Sequence, residues 1–170
     1  MMRILVPLAA AALLSACATP TGPTASAQLQ PTRGNAASGE VRFTQQGDKV
    51  LVSGEVRGLK PNAEHGFHVH EKGDCSSGDG MSTGGHFNPM GKMHGAHEGS
   101  EHHVGDLPSL KADAYGVARI SFESSSISVG SGSSDVVGRG LIVHRDPDDF
   151  KTQPTGNAGP RLACAVITRL

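Results

Sequence analysis

Apolar and polar positions alternate along much of the chain beyond Glu40. Val41, Phe43 and Gln45 interleave with polar neighbours, and the alternation resumes across residues 50–56 after Gly47-Asp48. A period of two places successive side chains on opposite faces of a strand, so the pair reads as a β-hairpin closed by a short turn. Turn-forming residues at 58–62 precede another strand over 66–70. Further strands are predicted over residues 109–112, 117–122, 140–144 and 163–168, with a turn at 113–116. There is no internal repeat. Seven or eight short antiparallel strands, each with an apolar face to cover, predict an all-β sandwich or flattened barrel.

The first residues break this pattern. Arg3 precedes an apolar run over residues 4–14, too short to span a bilayer as a mature helix and shaped like a secretory signal. Leu14-Ser15-Ala16-Cys17 is similar to a bacterial lipobox. Residues 1–16 therefore read as a lipoprotein signal peptide and Cys17 as the lipidated residue; ordinary secretory cleavage with Cys17 incidental is the alternative. Ala18 is not an inner-membrane retention residue, so the expected address is the cell envelope, periplasmic and anchored to the outer membrane. A single acyl chain binds a membrane only marginally, so stable anchoring needs the several chains of a lipoprotein. Residues 18–31, rich in Thr, Pro, Ala and Ser, show no hydrophobic period and read as a flexible tether. The expected divisions are signal 1–16, tether 17–34 and folded domain 35–170.

Composition narrows the core. Aromatic residues are 4% and Trp is absent, so Val, Ile, Leu and Ala must carry the packing. The 23 glycines and 10 prolines favour many turns over long helices. Without Arg3 the 15 cationic residues become 14 against 16 acidic ones, about −2 with neutral histidines. That balance excludes a generic nucleic-acid binder, and any attraction for an anionic substrate must be local.

Eight of the nine histidines lie between His65 and His103; His144 stands alone. His68 and His70 are two apart on a predicted strand and face the same way, with Val69 on the other side. The Gly-rich loop that follows carries His86, His94, His103 and Asp106, enough to wrap a second ion. Clustered imidazoles beside a carboxylate favour a metal site, set against a flexible, low-affinity metal scavenger.

The motifs HGFHVHE, GGHFNP, HVGD, LIVH followed by Asp-Pro-Asp-Asp, and GNAGPRLACAVI occur in that order from about Glu40 to the C-terminus. Together they resemble copper,zinc superoxide dismutase, in its bacterial envelope branch. The resemblance implies a Greek-key flattened β-barrel of about eight antiparallel strands with long metal-binding and electrostatic loops. It implies one copper and one zinc per subunit and superoxide as substrate. Copper falls to His68, His70, His86 and His144, and zinc to His86, His94, His103 and Asp106, with His86 bridging. The residue types agree, because imidazole suits both metals and a closed N/O set suits structural zinc. Asp148 matches the carboxylate that orients His68 and His94; an exposed turn acid is the alternative. His65 matches a structural position, while His97 and His102 match no ligand and are expected to be solvated.

Arg161, in GPRLAC, matches the residue beside copper that orients the anion; Lys151 is the only other cation of residues 150–160. Cys75 and Cys164 stand in the family's disulfide contexts, which an oxidising compartment favours, with two free thiols as the alternative. Chain-entropy reasoning assigns such a bond about 4–5 kcal/mol. The insert at 76–85 matches the bacterial branch, so the eukaryotic dimer contacts do not carry over; a monomer and a bacterial-type homodimer both stay open.

The implied reaction is dismutation of superoxide to oxygen and hydrogen peroxide by alternating reduction and reoxidation of copper, protecting the envelope. In it His86 carries a proton and zinc is structural. Two other classes compete. A metal-buffering lipoprotein does not explain His144 and Arg161. An inactive chaperone-like relative typically lacks copper ligands, and none is missing here.

Overall fold

Within residues 22–170, which the computed structural model describes, the chain opens on a strand where a tether was expected. The signal peptide, Cys17 and the following residues through 21 lie outside the described residues. Strand β1 (Thr24–Pro31) pairs antiparallel with β2 (Ser38–Gln46). Its inward residues are Ala25, Ala27 and Leu29, all essentially inaccessible to solvent. Ala25 lies opposite Phe43 and Ala27 opposite Val41, small against large, which fills the core without a clash. The period of two was present, but Ala among Thr, Ser and Gln gives it too little contrast to read as hydrophobic.

The predicted hairpin forms as β2 and β3 (Lys49–Arg57), with Gly47 at φ 62° in the turn, a conformation glycine adopts without strain. Two short strands, β4 (Glu64–His65) and β6 (Leu110–Lys111), pair with each other. Between them comes β5 (Phe67–His70), separated from β4 by Gly66. The rest are β7 (Ala118–Ser124), β8 (Gly140–His144), β9 (Arg161–Val166) and β10 (Thr168–Arg169).

The main sheet runs β5-β8-β9-β1-β2-β3-β7, with β10 beside the first half of β1 and β9 beside its end. It curls into a half-barrel of Greek-key type. The described residues hold no α-helix and one 3-10 turn at Met81–Thr83. The interior is aliphatic as composition required, with Phe43 and Phe67 its largest fully buried side chains. Burying one such side chain contributes about 1.5–3 kcal/mol.

Strands β5 and β8 are buried on both faces. Phe67, Val69, Leu141 and Val143 point into the core. On the opposite face lie His68, His70, Ile142 and His144, with His68 across from Ile142. Two long loops, residues 71–106 and 145–160, fold over that outer face.

A register shift between β8 and β9 decides what joins it. Ile142 pairs with Cys164 and Val143 with Ala163, but His144 pairs with Arg161. Leu162 is the extra residue and packs against the core cluster. Without this bulge, strict alternation would put Leu162 on the histidine face and turn Arg161 inward.

Candidate metal centre

The loop after β5 returns twice to the same strand. Phe87 N–H donates to the Val69 carbonyl at 2.8 Å, and Val69 N–H donates to the Gly105 carbonyl at 2.9 Å. Gly105 N–H closes the stems onto Phe87 O at 2.9 Å. A Cβ on Gly105 would stand 2.2 Å from the Val69 carbonyl, so this position admits only glycine. The two stems bring His86 and Asp106 beside His70 and His68.

Two ligand sets result. The strand set is His68, His70, His86 and His144; the loop set is His86, His94, His103 and Asp106. Within each set the candidate ligand atoms lie within 4.8 Å of one another, and all of these residues are buried.

In the strand set one nitrogen of each ring is held and the other is left over. His70 Nδ1 donates to the Gly84 carbonyl at 2.9 Å and His144 Nδ1 to the Gly159 carbonyl at 3.0 Å. His68 Nε2 meets Asp148 Oδ2 at 2.7 Å, and His86 Nδ1 meets Asp106 Oδ1 at 2.8 Å. His68 Nδ1 and the Nε2 atoms of His70, His86 and His144 are then buried with no partner. Leaving even one buried polar group unpaired is costly, so four together at one point fit a metal ion that accepts their lone pairs.

The loop set gathers on Asp106. Its Oδ1 lies 3.4 Å from His103 Nδ1 and its Oδ2 3.0 Å from His94 Nδ1, the latter not aligned as a hydrogen bond. His103 Nδ1 and His86 Nδ1 face each other at 3.3 Å. Three Nδ1 atoms and a carboxylate make the N/O donor set of structural zinc. His86 thus offers Nδ1 to one set and Nε2 to the other.

Asp148 stands behind both. Its Oδ1 accepts from His94 Nε2 at 2.9 Å and from the Phe150 N–H at 2.7 Å, while Oδ2 serves His68. The sequence left Asp148 between an orienting carboxylate and an exposed turn acid; it is buried and bridges the two rings. Gly156, at φ 61°, makes room for it, since a Cβ there would fall 1.8 Å from Asp148 Oδ1.

Protonation follows burial and partners. Burial lowers His86 to about 4 against the pull of Asp106. Burial depresses His70 and His144 well below the usual imidazole range, with neighbouring imidazoles and the Arg161 charge adding to it. His94 goes the other way: burial opposes its charge, yet Asp106 and Asp148 raise it to about 9. Burial also opposes the charge of those two carboxylates, but their histidine contacts hold both far below the usual carboxylate range.

Arg161 is half-buried at the rim. Its Nη1 donates to the Gly80 carbonyl and to Thr83 Oγ1, the latter at 2.7 Å, and its Nη2 donates to the Gly84 carbonyl at 2.7 Å. Gly84 O therefore accepts from both Arg161 and His70, a link that no side-chain motif announces. Thr83 also escaped the sequence reading; its one signal is a lone Thr directly before Gly84-Gly85-His86. Cys75 and Cys164 form the disulfide, tying this loop to β9.

The remaining histidines do structural work. His65 Nδ1 donates to the His144 carbonyl at 2.9 Å and props that strand. His97 and His102 were expected to be solvated; both are half-buried, their Nδ1 atoms bonded to the carbonyls of Asp106 at 2.9 Å and His103 at 2.7 Å. The loop set needs its backbone braced, and these rings supply donors for it. Lys151 is exposed, with no side-chain contact to either set among the described residues.

A β-half-barrel carrying two metal-ligand sets that share one imidazole defines a class of binuclear metalloprotein. Residues 37–167 match the family described as copper/zinc superoxide dismutase. A relative named superoxide dismutase [Cu-Zn], from Paramecium bursaria Chlorella virus 1, is 45% identical over 76% of this chain and 71% of its own length. One of the same name from Saccharomyces cerevisiae is 46% identical over 76% of this chain and 88% of its own. A solved structure titled as the clock protein EA4 superposes with a TM-score of 0.80 at 42% identity, covering 90% of this chain and 98% of that one. The chain belongs to the copper/zinc superoxide dismutase family. It is an oxidoreductase of that family, with copper and zinc as cofactors.

Proposed function

We propose that this chain dismutes superoxide in a bacterial cell envelope, protecting it from oxidative damage, with copper on the strand set and zinc on the loop set. The observation that carries the assignment is the four buried, unpartnered imidazole nitrogens of His68, His70, His86 and His144. Copper supplies one-electron redox chemistry, and zinc supplies charge and structure. The chain supplies everything else. Asp148 fixes the rings of His68 and His94, and the backbone carbonyls fix His70 and His144. Arg161 meets the anion and orients it at the rim. His86, whose Nδ1 would serve the zinc set, would take up a proton at its otherwise unpartnered Nε2 and deliver it to the reduced substrate. Two superoxide ions and two protons give one O2 and one H2O2.

The lipobox at Leu14–Cys17 and the position of Cys75 support the envelope branch. With Cys17 acylated and β1 opening at Thr24, six residues separate lipid from barrel, at most about 25 Å of chain. The enzyme would then work close to the membrane surface. In the test, mature protein carries about one copper and one zinc and dismutes superoxide. Zinc alone, with no activity after copper is added, would make it a metal buffer. Cys17→Ser should move the protein from the detergent to the aqueous phase on partitioning; a wild type that is already fully aqueous and unacylated refutes the anchor.

A further inference from the structure

The turn after β1 is fastened to the mouth of the metal centre. Thr32 Oγ1 donates to the Arg161 carbonyl at 2.6 Å, and Thr32 N–H to the Leu162 carbonyl at 3.0 Å. Arg33 N–H donates to the Gly78 carbonyl at 2.7 Å. The exposed Arg33 guanidinium lies along Gly78, 2.9 Å from where a Cβ would stand. Two residues further on, Gly80 O accepts from the Arg161 guanidinium. Between them comes Asp79, exposed, its Oδ1 held by the Met81 N–H at 2.9 Å.

Two residues of chain span at most about 7 Å, within a Debye length of about 8–10 Å at cellular salt. All three charges therefore act on the same approach path. Asp79 bears on the charge of Arg161, and Arg33 bears on that of Asp79. The other acids of this loop are Glu71, whose carboxylate packs against Gly84 with Lys72 Nζ at 3.7 Å, and Asp74, which also faces the Lys72 charge.

We propose that Arg33 is a second guiding cation for the anionic substrate, offsetting Asp79 so that the field of Arg161 reaches solvent. This rests on the reading of superoxide as substrate. Alone, Asp79 would turn an arriving anion away from the group meant to receive it. Arg33 on its far side leaves the rim net positive in a protein that is net negative. Because the clamp uses the Arg33 backbone, changing its side chain leaves the clamp in place.

The proposal predicts changes of opposite sign. Arg33→Gln should lower kcat/KM for superoxide by about two- to fourfold, the Coulomb effect of one charge at this range in a dielectric near water. It should also flatten the slowing by added salt. Asp79→Asn should raise the rate by a similar factor and steepen that slowing. Arg33→Lys, which keeps the charge, should keep the wild-type salt slope. A second readout needs no turnover: azide titrated onto the copper- and zinc-loaded proteins should bind more weakly to Arg33→Gln and more tightly to Asp79→Asn. Neutral imidazole should bind all of them alike. Azide affinity unchanged, moved the same way by both substitutions, or matched by imidazole overturns the proposal. A wild type that holds both metals but fails to dismute would instead sink the activity reading, and the azide comparison would still decide on Arg33.

Discussion

The strand set and the loop set share His86, yet they are built in different ways. His68, His70 and His144 sit on β5 and β8, where antiparallel register and the core beneath fix their spacing. His94, His103 and Asp106 sit on a stretch with no regular strand of its own. There the carboxylate does the organising: Asp106 Oδ2 accepts from the His103 N–H at 2.8 Å and the Gly95 N–H at 3.2 Å while facing the rings. Folding alone prepares one set. The other is prepared by polar contacts that its own ion would replace.

His86→Ala tests what the sets share. Both metals should fall well below one per chain and dismutation should drop to the uncatalysed rate, more than the ~10–100-fold typical of losing an outer partner. Metal analysis with stopped-flow superoxide decay reads this, and full retention of either metal would show the sets to be independent. Stripping the metals with chelator tests what separates them. Amide exchange across residues 88–104 should accelerate by about a hundredfold or more while β5 and β8 stay protected. Equal acceleration in both would erase the distinction.

Asp148→Asn reaches both sets from behind. Copper and zinc affinity should each weaken by ~10–100-fold, read by competition with chromophoric chelators. Loss confined to one metal would mean that one of its two contacts is idle. The smallest effect is a proton count. His94 is raised to about 9, so without metal it is protonated at neutral pH. Zinc taken through Nδ1 must expel that proton, so loading at pH 7 should release about one and weaken as pH falls below about 9. Calorimetry in buffers of differing ionisation enthalpy gives the number, and zero release would place His94 outside the zinc shell.

Much of this was legible in the sequence because its carriers have strong contrast. Val41, Phe43, Val50 and Val52 announce their strands, and histidines two apart announce a shared face. Strand β1 was hidden because its inward residues are mainly alanine, barely distinguishable from the Ser and Thr around them. The bulge at Leu162 was hidden because periodicity reports a register without saying where it slips. Asp148 was found by its motif, but its burial depends on Gly156, eight residues on in the chain and brought back by the fold. The carbonyl of Gly84 carries no side-chain signature at all.

The slip at Leu162 also makes the chain near Arg161 tolerant of one change in length. Substitutions can change the size or charge of residue 161, but they leave it on the histidine side. Removing Leu162 would restore plain alternation with Arg161 next to Ala163, still on the histidine side and across from His144, but would strip from the core the side chain that Leu162 packs there. A deletion at 162 should therefore cost stability before it costs the placement of the cation, whereas one within 150–155 would disturb the Phe150 and Gln153 contacts that hold Asp148 and His94. In this stretch a bulge and a shorter strand place the cation on the same side, and Leu162 is the residue that separates the two.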